Sequence, residues 1–196
     1  MAKEGYLALK AKLKSEDIYV GALLGCLEMI NSGTTCFADM YFHEDVIAKT
    51  VEKSGLRGVL AEGIIEAGDK TLGEKMLNGS VNFARSFHGY ADGRVTALLG
   101  PHATYSCSPE LFVKVREKAS ELNVGVHIHL AESKEMFKEF EERYGSSEVE
   151  FLDKAGFLKD QVLAAHWVNL SVEDMHVLSK GSVNVAYVPV ANMKLV

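Results

Sequence analysis

The stretch VGVHIHLAES, residues 124–133, decides how the rest of the chain is read. Val124, Val126, Ile128 and Leu130 form the apolar side of a strand. His127 and His129, two positions apart, emerge together on the other side. A pair of imidazoles directed to one side of a buried strand is costly unless a metal ion or a polar partner satisfies them. Glu132 follows His129 by three positions, just past the strand end. A carboxylate there reaches water held on a metal bound by that histidine.

Outward from this stretch the same pattern recurs. Apolar, β-branched runs lie at Thr34–Asp39, Arg57–Glu62, Val95–Pro101, Val124–Leu130, Gln161–His166 and Ser182–Pro189. The gaps have helical spacing. Ser108 is placed to cap a helix with Pro109 at its first position and Phe112, Val115, Ala119 and Leu122 on one face. Ser147 and Glu150 have capping-box spacing, Ser171 caps a further segment, and Ile18–Asn31 reads as a helix lying on the sheet. Continuous apolar strands alternating with amphipathic helices are the mark of parallel βα units. A complete barrel of such units takes about 250 residues, and this chain has 196. The expected fold is therefore α/β, an incomplete TIM-type (β/α)8 barrel of about six parallel strands with outer helices, in one domain over 1–196.

In parallel barrels the chemistry sits at the C-terminal strand ends. His102 follows Gly100-Pro101, His129 and Glu132 close the next strand, and His166 closes the one after. A lone strand-end histidine is ordinarily a hydrogen-bonded loop residue; three consecutive strands ending in one carry more weight. His43, His88 and His176 are expected at the surface. The cysteines Cys26, Cys36 and Cys107 read as small apolar fillers, with Cys107 placed to line a pocket. Trp167 reads equally as core or pocket wall. Asp39 and Glu62, at two further strand ends, read as loop-positioning carboxylates.

Composition narrows the partners. A net charge of −6 without a Lys/Arg block argues against nucleic acid. The three cysteines form no CxxC pair, which suits a reducing cytoplasm. Charges recur through residues 1–20, leaving no signal-peptide core or membrane span there.

The segments GTTCFADMYF, GPHATYSCSPEL, HIHLAES, AAHWVNL and NVAYVPVANMKL, in that order, resemble the amidohydrolase superfamily. The likeness runs nearly the whole chain. It points to the branch of S-adenosylhomocysteine and 5-methylthioadenosine deaminases and related chlorohydrolases. The resemblance implies that His129 binds zinc or another divalent metal, that Glu132 shuttles a proton, that His166 orients the attacking hydroxide, and that His102 contacts a small purine-like substrate. A divalent ion brings its bound water to a pKa near 7, supplying that hydroxide.

Departures from the family pattern matter as much. The family's first-strand HxH and last-strand aspartate find no match here. The usual HNPxSN motif reads Tyr187-Val188-Pro189-Val190-Ala191-Asn192. The resemblance thus implies an incomplete metal site and a chain inactive by itself. Its open sheet edges imply self-association into a homo-oligomer. A chlorohydrolase or guanine-type deaminase is the alternative within the class. A non-catalytic barrel segment serving as an interaction module is the alternative outside it.

Overall fold

The computed structural model describes residues 13–159 and 161–195, so most of the charged N-terminal stretch read above lies outside it. The elements run α1 (Ser15–Asn31), β1 (Cys36–Tyr41), α2 (Glu44–Ser54), β2 (Arg57–Ile64), α3 (Lys70–Phe87), the short turn α4 (Tyr90–Gly93) and β3 (Val95–Pro101). Then come α5 (Pro109–Leu122), β4 (Val126–Leu130), α6 (Lys134–Tyr144), α7 (Glu148–Lys154), β5 (Val162–His166), α8 (Val172–Lys180), β6 (Val183–Ala186) and α9 (Pro189–Leu195). The strands form one parallel sheet in chain order from β1 to β6, each neighbour reached through helical connections. The sheet is a curled half-barrel, the incomplete TIM-like arrangement that the strand count implied.

Side chains alternate across each strand and so sort themselves between two faces. Leu60, Ile64, Leu99, Val126, Ile128, Leu130 and Val162 are buried in the main core, together with Val51 of α2, Val81 of α3, and Phe112, Val115 and Ala119 of α5. The opposite, concave face is open. Ala38, Thr96 and Asn184 are exposed on it, and Val59 and Leu163 are half-buried.

Local signals held in most helices. Ser108 accepts from the Leu111 N–H with Pro109 next to it, and Ser171 makes a reciprocal capping box with Asp174. At Ser147 half the expected box forms. Its hydroxyl oxygen accepts from the Glu150 N–H (3.1 Å), while the Glu150 carboxylate turns to Lys154 (2.7 Å). Helix α1 packs on α2 instead of the sheet, with buried Cys26 donating to Thr50 of α2 (3.9 Å) and Val20 and Leu24 66 % and 58 % exposed. The sixth run is shorter than its composition suggested. It ends at Ala186, because Pro189 lacks an N–H for a ladder and opens α9. Cys36 is exposed on β1 and is no filler; Cys26 and Cys107 are buried.

The approach of β3 to β2 is set by Gly100. A Cβ there would stand 2.8 Å from the Glu62 carbonyl oxygen and 3.2 Å from the Ala61 methyl. Because backbone cannot step aside as a flexible side chain can, Gly100→Ala should lower unfolding free energy by about 1–3 kcal/mol. A urea titration showing an unmoved midpoint would mean that β2 and β3 are not this close.

Candidate active site

Parallel register brings the ends of β3, β4 and β5 level. His129 pairs with Ala165 and Leu130 with His166 across β4 and β5. On the other side the His102 carbonyl takes up the ladder, accepting from the His129 N–H at 3.0 Å. The rings follow the backbone: His102 to His129 is 4.9 Å between centroids, and His129 to His166 is 5.4 Å. Glu132, past the turn at Ala131, brings its Oε1 to 3.6 Å from His166 Nε2. The four residues singled out in the sequence therefore share one neighbourhood. His127 is next to it, 6.2 Å from the His129 ring but turned deeper into the sheet.

Hydrogen bonds fix which ring nitrogen carries the proton. A carbonyl oxygen only accepts, so His129 Nδ1, 2.9 Å from the His102 oxygen, is protonated and leaves Nε2 with the lone pair. At His166 the deciding partner is Asn192. The Asn192 amide nitrogen donates to the His166 carbonyl (3.2 Å), so its Oδ1 faces His166 Nδ1 (2.9 Å) and receives a proton from it. His166 Nε2 is then an acceptor facing the Glu132 carboxylate. Two electron-rich atoms 3.6 Å apart stand beyond hydrogen-bond length, a gap that a shared proton, a water or a cation satisfies. His102 Nδ1 pairs with the Ser106 hydroxyl (3.0 Å), which also lies 3.1 Å from the Ala103 carbonyl.

Burial favours the neutral ring at His127 and His129. Desolvation, reinforced by the His129 charge, pulls His127 down to about 4, and desolvation also lowers His129. Tyr105 packs edge-on against His102 at 5.5 Å, and burial followed by the Glu132 charge pushes its hydroxyl up to about 12. It remains a neutral donor beside the carboxylate. The backbone is strained where the chemistry gathers: Ala131, His166 and Trp167 have φ of 54°, 82° and 56°, a region non-glycine residues enter at a cost.

Sequence reasoning missed two of these residues. Asn192 closes the quoted seventh-strand motif, whose changed positions include Tyr187 and Val188, and a helical Asn reaching back to a strand end leaves no local pattern. Tyr105 lacks a signal beyond its closeness to His102. His43, His88 and His176 are exposed, and Trp167 packs against the core with its indole nitrogen buried and unpartnered.

In kind, the donors suit a divalent ion: neutral imidazoles with Nε2 lone pairs and a carboxylate. In number they fall short. Among the described residues no three His, Cys, Asp or Glu side chains gather closely enough to hold a metal, whereas a catalytic zinc needs about three protein ligands. The residues present do not complete a metal site on their own.

Of the two rim carboxylates read as loop-positioning, Glu62 makes such contacts, and Glu44, not singled out in the sequence, makes one beside it. Glu62 accepts from the His43 and Glu44 N–H groups (3.2 and 2.8 Å), and Glu44 accepts from Tyr41 N–H at 2.8 Å. Glu44 is fully buried with its second oxygen unpartnered. Burial, then the Asp39 charge, raise its pKa well above the ordinary carboxylate range.

With the geometry in view, comparison with known proteins is informative. Residues 5–196 match the amidohydrolase family. The 5-methylthioadenosine/S-adenosylhomocysteine deaminase of Halothermothrix orenii is 48% identical over 180 residues, covering 92% of this chain and 41% of the relative. The 5′-deoxyadenosine deaminase of Methanosarcina barkeri is 48% identical over 193 residues, covering 98% and 45%. The chain thus spans less than half the length of these relatives. Among solved structures, a zinc-bound adenosine deaminase from Xanthomonas campestris superposes with a TM-score of 0.82 at 26% identity, over 94% of this chain and 42% of that one. A zinc-complexed atrazine chlorohydrolase from Arthrobacter aurescens gives 0.84 at 21% identity, over 98% and 48%, a likeness of fold alone.

Two outcomes follow from the site's hydrogen bonds and charges. Nitrogen-15 shifts of His166 should report a protonated Nδ1 and a bare Nε2, and Asn192→Ala should turn this into a tautomer mixture; identical shifts in both proteins would undo the assignment. Glu44 has its folded pKa raised, so the fold is unpenalised below the unfolded value of about 4.5 and loses stability as pH climbs through the folded value. Glu44→Gln should therefore raise the melting temperature at neutral pH and leave it nearly unchanged in acid, and a pH-independent effect would contradict this.

Proposed function

We propose, for a chain that belongs to the amidohydrolase family, that it carries the proton-transfer half of a hydrolytic deaminase acting on adenosine-like compounds of the 5-methylthioadenosine, S-adenosylhomocysteine and 5′-deoxyadenosine kind. One observation carries this reading: the Glu132 carboxylate and the lone-pair Nε2 of His166 face one another across 3.6 Å, beside His129. The 48% identity to deaminases of these compounds supports the substrate class. The chlorohydrolase likeness, at 21%, speaks for fold and favours no second chemistry.

In this mechanism a water bridges Glu132 and His166 from beside their 3.6 Å approach, within hydrogen-bond reach of both. His166 Nε2 accepts one of its hydrogens and so aims the oxygen at the amine-bearing ring carbon. Glu132 takes the other proton and delivers it to the neighbouring ring nitrogen as the carbon becomes tetrahedral. The proton of the new hydroxyl then passes by way of Glu132 to the exocyclic amine, the C–N bond breaks to release ammonia, and the ring keeps a carbonyl oxygen. His102, with its Nδ1 held by the Ser106 hydroxyl, contacts the substrate from the β3 side. The role assigned to His129 is one ligand of a divalent-metal centre whose other ligands lie outside the described residues, and none of these proton steps is routed through it.

The setting inferred is cytoplasmic, in keeping with the free cysteines. No helix among the described residues is long and apolar enough to cross a membrane. The open strands β1 and β6 and the apolar ridge of α1 favour association with further strands, from a second copy or the rest of a barrel. Alone, the chain is expected to turn over nothing.

In an active assembly, Glu132→Gln should cut kcat by roughly two to four orders of magnitude at unchanged zinc content. His129→Ala should lose zinc and activity together. Absorbance loss as 5′-deoxyadenosine is deaminated, with metal analysis alongside, measures both, and undiminished turnover in Glu132→Gln would remove the basis of the proposal.

A further inference from the structure

Three loops carry the proposed chemistry, and one buried carboxylate touches two of them. Glu148 opens α7, more than a dozen residues past Glu132, and is 4 % exposed. Its Oε1 accepts the hydroxyl of Thr104, two residues after His102. Its Oε2 accepts the Ala131 N–H at 2.9 Å, one residue before Glu132. Both side-chain oxygens are therefore committed to loop residues that are themselves buried, Thr104 at 6 % and Ala131 at 2 % exposure.

The third loop is tied through the same residue. The Ala131 carbonyl accepts the N–H groups of Val168 and Asn169, each at 3.0 Å, just beyond His166. Ala131 holds φ of 54°, a conformation unfavourable for a residue with a Cβ, so its peptide units stay in place only if something outside holds them. The Glu148 carboxylate is that something on the N–H side. Helix α7 is anchored in turn: the Ser147 hydroxyl donates to Asp174, which is 2 % exposed and caps α8. Leu152 and Val149 of α7 are buried in the core.

We propose that Glu148 is a positioning residue: by accepting from Thr104 on one side and Ala131 on the other, it fixes the loops bearing His102, Glu132 and His166 relative to one another. It contacts neither substrate nor reacting atoms. The inference rests on the deaminase reading for the importance of those loops, and its physical content, the coupling of three loops through one carboxylate, stands apart from that reading. Burial and the nearby Glu132 charge both raise the Glu148 pKa, in keeping with a carboxylate retained at some electrostatic cost.

The test is amide hydrogen exchange on the chain as it exists, with Glu148→Ala, Glu148→Gln and Leu152→Ala compared. Loss of the carboxylate should speed exchange at Val168 and Asn169 about tenfold or more relative to Leu60 in β2. Those two amides make no bond to Glu148, so only a shift of Ala131 exposes them. Glu148→Gln should restore much of the protection, since an amide oxygen still accepts from Ala131. Leu152→Ala, a core change in the same helix, should move Val168 and Asn169 only in step with Leu60. Unchanged Val168 and Asn169 in Glu148→Ala, or an equal loss in Leu152→Ala, overturns the proposal. Should Glu148→Ala fail to fold, Thr104→Val removes one arm of the clamp, and its exchange pattern must show faster exchange at the His129 N–H, which bonds the His102 carbonyl, or the proposal fails. Turnover surviving Glu132→Gln would defeat the deaminase reading and leave these exchange results untouched.

Discussion

A carbonyl oxygen accepts hydrogen bonds and never donates them, and the site depends on that asymmetry. The His102 carbonyl dictates the protonated nitrogen of His129; the His166 carbonyl, read through Asn192, dictates that of His166 itself. Both imidazoles are thereby delivered with Nε2 bare. A histidine left to solvent would interchange tautomers and rotate. Here the backbone of neighbouring strands does the selecting, so the chemical state of the rings is a property of the sheet.

The sheet achieves this because it is parallel and in register. Levelling the ends of β3, β4 and β5 brings side chains from three segments of sequence within one ring's breadth of each other. The closeness of β3 to β2 is a matter of Gly100 having no Cβ. Beyond the strand ends, order passes to buried carboxylates. Glu62 and Glu44 hold the turn into α2, and Glu148 holds the turns after β3 and β4. Acidic side chains thus serve here as backbone acceptors where regular pairing has stopped.

Much of this was legible in the sequence. Continuous apolar, β-branched runs and helical spacing located the six strands and most helices, and His102, His129, Glu132 and His166 stood out because each falls at or just past the end of such a run. What escaped was whatever depended on an element's choice of partner. Ile18–Asn31 read as a helix laid on the sheet, yet α1 packs on α2, and nothing in its own residues distinguishes the two surfaces. The tail of the sixth run looked like strand by composition and became α9 because Pro189 favours a first helical turn. Glu148 was invisible for the same reason, and so was the partner that Asn192 reaches. Each acts on a residue more than a dozen positions away, and polar residues in amphipathic helices are ordinarily solvated.

The left-handed backbone at His166 sets conformation against chemistry. At φ of 82° the position suits glycine, and an imidazole is kept there against the preference of its own main chain. Foldability and reactivity consequently pull in opposite directions at this one residue. A lineage that no longer needed the reaction could gain robustness by surrendering the ring, so glycine here in a relative would be a mark of abandoned function more than of damage.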